Sequence, residues 1–94
     1  MGMPAELLAR DLQSVLEGIT PLEAVLDNPR HQQGALPACF HGLQHFLADE
    51  GIRAKDQDYR RMQEEEMRKL IRLLLAGADD VTLWRITFLG AAGA

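Results

Sequence analysis

The side chains best able to do chemistry in this sequence gather in two places. His41 and His45 stand four residues apart with Asp49 continuing the row, a spacing that sets two imidazoles and a carboxylate on one face of a helix and is used by two-histidine metal sites. Such a site wants a further ligand, for which His31 and Glu66 are the candidates. The His-Glu-x-x-His pattern of zinc hydrolases is absent, because Gly42 follows His41, so that reaction class lacks its general base. The competing reading, which the sequence favours, is a solvated polar face opposite an apolar arc.

The second place is Glu66. Counting about 100° per residue from Tyr59, Met62, Glu66, Leu70 and Leu73 share one helical face, so a carboxylate interrupts an apolar stripe. A buried carboxylate needs a partner or a proton. The ferritin-like pairing of a glutamate with a histidine three residues on is missing, since Lys69 stands there. The expectation is a pairing with Arg10, Arg53 or Arg85, at the edge of the core or in a subunit seam, where it would fix register or partner choice more than stability.

Cys39 lies far around the same helix from His41 and His45, so no thiol–imidazole contact is expected, and a small buried hydrophobe is the reading. Arg60, Arg61, Arg68, Lys69 and Arg72 form a dense basic run, but Asp56, Asp58, Glu64, Glu65 and Glu66 are interleaved with it and cancel its field. With a formal net charge of −4, phosphate attraction is not the expected source of affinity, and nucleic acid is not the expected partner.

These residues must be positioned by helices. The first is expected over about 4–17, with Pro4 in its first turn, Ala5, Leu8, Leu12, Val15, Leu16 and Ile19 on one face, and Gly18 as its stop. Thr20-Pro21-Leu22-Glu23 reads as a capping box opening a short helix that presents Leu22, Val25 and Leu26 and ends at Asp27-Asn28-Pro29. A loop is expected over 31–34. A third helix over about 35–50 carries Leu36, Cys39, Phe40, Leu43, Phe46 and Leu47 inward and ends at Gly51. The longest helix runs over about 54–76, with Glu64–Arg68 and Glu65–Lys69 pairs on its outer face. The segment 80–89 suits either a helix bearing Val81, Trp84 and Phe88 or a strand; helix is preferred because no second strand is available to pair with it. Residues 90–94 read as a flexible tail after a single domain over 1–89.

Composition agrees. Of 94 residues, 47% are hydrophobic and 26% charged, as in an ordinary folded domain. One cysteine permits no intramolecular disulfide and fits a reducing cytoplasm better than a secreted disulfide scaffold. The N-terminus lacks the basic start and apolar run of a signal peptide, and the longest apolar stretch is far short of the about 18–20 residues that span a bilayer.

The expected fold is all-α, a small four- to five-helix bundle with one long helix and a short C-terminal element. The expected function is a noncatalytic interaction module without a cofactor, self-associating as a homodimer and open to another protein as partner. Its contact residues would be Glu66, Leu70, Leu73, Leu74, Trp84 and Phe88, because the 70–75 run is apolar almost all round and exceeds what one small core covers. The alternatives are a metal-binding protein using His41, His45 and Asp49, and a small nucleic-acid-binding regulator using Arg60, Arg61 and Arg68. No Gly-rich phosphate loop, nucleophile–base pair or paired carboxylates point to an enzyme.

Overall fold

In the computed structural model, which describes residues 4–88, all regular structure is α-helical and no strand forms among the described residues. The all-α class is as expected, divided into seven helices over that span rather than four or five. The expected tail over 90–94 and the domain's last residue, Leu89, lie outside the described residues.

Helix α1 (Pro4–Leu16) buries Leu8, Ala9 and Leu12. Gly18, at φ 75°, supplies the left-handed turn that ends it, and this turn throws Ile19 into solvent rather than onto the apolar face. Helix α2 (Leu22–Leu26) starts one residue too late for the expected capping box. Pro21, not Thr20, occupies its N-cap, and no side chain caps it. Leu22, Val25 and Leu26 are nevertheless buried as the pattern requires.

Asn28-Pro29 begins a helix instead of only ending one. The Asn28 side chain accepts from the Arg30 N–H at 3.0 Å and Pro29 takes the first turn of α3 (Pro29–Gln32), which occupies the first half of the loop expected over 31–34 and leaves a turn over 33–35. The helix expected over 35–50 is two, α4 (Leu36–Ala48) and α5 (Glu50–Lys55), broken at Asp49, while Gly51 lies inside α5. A tertiary demand sets this break: the Asp49 carboxylate is held by Tyr59 and Gln63 from the next helix.

Helix α6 (Gln57–Leu75) is the long one, capped by Asp56, which accepts from the Asp58 and Tyr59 N–H groups at 3.0 Å. Its ion pairs are Arg60–Glu64 at 3.1 Å and Arg68–Glu65 at 2.8 Å, so Glu64 and Glu65 choose partners other than those expected. Helix α7 (Asp80–Trp84) follows Gly77, and the chain leaves the helix beyond Trp84. Hydrogen bonding to Thr82, by its side chain and its backbone N–H, holds the capping Asp79 carboxyl below its ordinary range. Among the described residues no helix is long and apolar enough to cross a membrane.

The core forms where α1 lies along α6 and α4 along α7. It joins Leu8 and Leu12 to Leu36, Leu43, Met67, Leu70 and Leu74, closed by Leu83, Ile86 and Phe88. Gly42 makes that closure possible, since a Cβ there would sit 2.2 Å from the Ile86 carbonyl oxygen. Gly51, by contrast, faces open space. We therefore expect Gly42→Ala to lower stability by about 1–3 kcal/mol through overpacking, and Gly51→Ala to raise it by about 0.5–1 kcal/mol through helix propensity. Urea midpoints of the two variants, moving in opposite directions, check both.

Candidate functional site

The polar residue at the heart of the long helix is Gln63, not Glu66. Helix α6 buries Gln63, Met67, Leu70, Ile71 and Leu74, a face turned by about one position from the stripe expected through Met62 and Glu66. Glu66 therefore lies half-buried on the flank and makes no ion pair with Arg10, Arg53, Arg85 or any other described residue.

Gln63 is fully enclosed, and its amide is satisfied on both sides. Its Oε1 accepts from Arg53 at 2.6 Å, and its Nε2 donates toward Asp49 Oδ2 at 2.9 Å, the Phe88 carbonyl at 3.1 Å and the Tyr59 hydroxyl at 3.2 Å. An amide nitrogen carries two protons, so one of them is shared among these acceptors. Arg53 also donates to the Phe46 carbonyl and lies over the Phe46 ring, 3.7 Å from its centroid. Burial lowers the Arg53 pKa from its ordinary value, and the acidic neighbours Glu50 and Asp49 act the other way. Tyr59 donates to Asp49 at 2.7 Å, and this bond raises the Tyr59 pKa above its ordinary 10.0.

This constellation has no exposed reactive group and holds the fold. It also takes Asp49 out of any metal site with His41 and His45. His31 is likewise unavailable, being buried with its Nε2 2.5 Å from Asp11 Oδ2. Among the described residues, no group of three or more His, Cys, Asp or Glu side chains converges as for a metal ion. Cys39 is buried as expected, with its Sγ 3.7 Å from the Ala35 carbonyl, and burial pushes its pKa up to about 12. A thiol so held is not a nucleophile at neutral pH.

What remains accessible is the outer face of α4. His41 and His45 meet there with their Nε2 atoms 3.2 Å apart and their rings edge to face at 88°. Trp84 of α7 stacks on His41, centroids 5.8 Å apart and planes within 21°. The two imidazoles, with Gln44, Leu47 and Ala48, line a shallow depression of about 440 Å³. Trp84 is 59% exposed and Val81, one turn earlier on the same side of α7, is 63% exposed. The stacking of Trp84 on His41 was not legible in the spacing of either residue, because it depends on how α7 folds back.

The other expected contact residues lie elsewhere. Leu70, Leu74 and Phe88 are enclosed in the chain's own core, and Leu73 packs on its edge. Leu75 alone of the 70–75 apolar residues is largely exposed. A broader groove of about 670 Å³ runs between the α1–α2 turn and α4 to α6, but of the two arginines in its wall Arg60 is paired with Glu64 and Arg53 is bonded to Gln63 and the Phe46 carbonyl. Comparison with protein-family models, curated proteins and solved structures finds no match to the chain.

The Gln63 constellation carries a pH dependence with a definite sign. A tyrosine whose pKa is raised by folding contributes stability that is complete below the unfolded value and lost as pH rises through the folded one. Stability should therefore decline above about pH 10, and Tyr59→Phe should remove that part of the decline. Tyrosinate absorbance reads the titration directly, since Tyr59 is the sole tyrosine. Gln63→Leu, which leaves the Phe88 carbonyl without the Gln63 donor and Arg53 with the Phe46 carbonyl as its remaining acceptor, should cost about 1–3 kcal/mol in urea unfolding.

Proposed function

We propose that this chain is a noncatalytic helical interaction module of a bacterial-type cytoplasm that associates with a second copy of itself through the face of α7 and α4. The observation that carries this reading is the position of Trp84. An indole that is 59% exposed, with Val81 beside it, is an apolar anchor of the kind that dominates protein interfaces. Phe46 and Phe88, by contrast, are buried. A symmetric pair is the simplest assembly in which one such face covers another.

The remaining groups support a binding rather than a catalytic role. Cys39 is shielded, and the His31–Asp11 pair has no hydroxyl or thiol hydrogen-bonded to it among the described residues. Arg60 and Arg68 are engaged by Glu64 and Glu65, which weighs against a phosphate-reading helix. Of the two regions that the sequence suggested for contact, the apolar end of α6 is spent on the core, which takes Leu70, Ile71 and Leu74, and the Trp84 region is the one that this reading keeps.

Sedimentation velocity over a range of protein concentrations tests the reading. The intact chain should pass from monomer to dimer mass while the emission of its single tryptophan moves to shorter wavelength. Trp84→Ala should weaken association by about 30-fold or more, the effect of a ~2 kcal/mol hot spot, and Val81→Asp should abolish it. A chain that stays monomeric throughout, with the emission of a hydrated indole, would sink the proposal.

A further inference from the structure

His41 and His45 project from the rigid outer face of α4, whose inner face is fixed by Leu43 and Phe46 in the core. Their Nε2 atoms approach to 3.2 Å, so in the free chain one nitrogen carries a proton and donates it to the other. Two imidazole nitrogens at this separation are also placed to share a cation. For metal–nitrogen bonds of about 2.0–2.1 Å, nitrogens 3.2 Å apart subtend about 100° at the ion. That angle lies between those of octahedral and tetrahedral coordination. Chelation requires the rings to turn until both Nε2 lone pairs meet at the ion, with any Nε2 proton transferred to the other nitrogen of its ring.

Trp84 adds a constraint that spacing alone would not give. Its indole lies nearly parallel to the His41 ring, restricting that ring's rotation on a surface where histidine side chains are otherwise free. Asp49 is bonded to Tyr59 and Gln63, so no carboxylate is drawn from it and the ligands are imidazole only. Neutral imidazole pairs select borderline divalent ions such as copper, nickel and zinc over magnesium and calcium, which prefer oxygen.

We propose that the Nε2 atoms of His41 and His45 form a two-point chelate for one divalent transition-metal ion, with its other coordination positions open to water or an added ligand. The chelate is complete within one chain and goes beyond self-association; because its ligands share the α7–α4 face with the proposed dimer, it is tested on the monomer, where its failure and that of the dimer are distinguishable.

Titration of untagged, intact protein with nickel(II), at a concentration where it is monomeric, tests the chelate by two readouts. Calorimetry should give one saturable site per chain, and Trp84, the sole indole, should be quenched in step because it lies against a ligand ring. Magnesium should do neither. Removing an imidazole should cost at least the about 10–100-fold in affinity that loss of a mere outer-shell partner costs. This is expected of His41→Asn and of His45→Asn, the second leaving the His41–Trp84 stack in place. Both side chains project from the outer face of α4, so unchanged helical circular dichroism accompanies the loss. Nickel affinity equal to that of the intact chain in either variant, or absence of any saturable site in the intact chain, would overturn the proposal.

Discussion

The enclosed amide of Gln63 is the constraint on which the rest of the structure depends. A primary amide withdrawn from water loses several hydrogen bonds, and a partly satisfied one is worse than an apolar side chain of the same size. Gln63 meets this demand by drawing in groups from four elements. These are the α4–α5 junction through Asp49, α5 through Arg53, its own helix through Tyr59, and the C-terminal segment through the Phe88 carbonyl. Among the described residues no enclosed side-chain nitrogen or oxygen is left without a partner. The amide therefore sets the register of α5 on α6 and fixes where α4 must stop.

The same demand shapes the C-terminal segment. Phe88 adopts φ 64°, a left-handed conformation that costs a bulky residue on the order of 1–3 kcal/mol. Two interactions hold it there: its carbonyl accepts from Gln63, and its ring packs edge to face on Phe46, centroids 5.4 Å apart. Gly42 clears the path for Ile86 between them. With Leu83, Ile86 and Phe88 all turned inward, the opposite side of the five-residue α7 has only one direction left to face. Val81 and Trp84 point outward, and Trp84 lands on His41. The exposed face is thus a consequence of the buried amide.

The helical class, the approximate extents of α1 and α6 and the burial of Cys39 are legible in the sequence because each depends on local chemistry or on periodicity. The phase of α6 is not. Gln63 and Glu66 are both polar within an apolar pattern, and the one that goes inside is chosen by Arg53 and Asp49, which no local rule brings near. The break at Asp49 fails for the same reason, since Gly51 is the stronger local stop signal. Asn28-Pro29 misleads differently, because an Asx-Pro pair serves equally as the end of one helix and the start of another. A glycine in mid-helix at position 42 was a signal of close approach, although nothing in the sequence said that the approaching chain would be Ile86. Of the candidate site, the His41/His45 pair follows from helical spacing alone, whereas the withdrawal of Asp49 and the arrival of Trp84 are both tertiary.

Helix α4 carries the two demands on opposite sides of one rigid rod. Gly42, Leu43 and Phe46 face inward, where a change in volume or polarity disturbs the closure by Ile86 and Phe88. His41, Gln44 and His45 line the outer depression, where side chains that touch mainly water and Trp84 contribute little to stability. Chemistry on the outer face can therefore change without unfolding the chain, while the inner face keeps the geometry of that chemistry constant. A chelating pair would gain from this arrangement, because its affinity depends on the separation of two nitrogens, and the backbone that carries both side chains is held on its far side while Trp84 stacks on one of the rings. An association surface gains too, since α7 is held by Leu83 in the core and need not become ordered when a partner arrives. A face built on loops would lose ordering entropy each time it bound, whereas this one has already lost it in folding around Gln63.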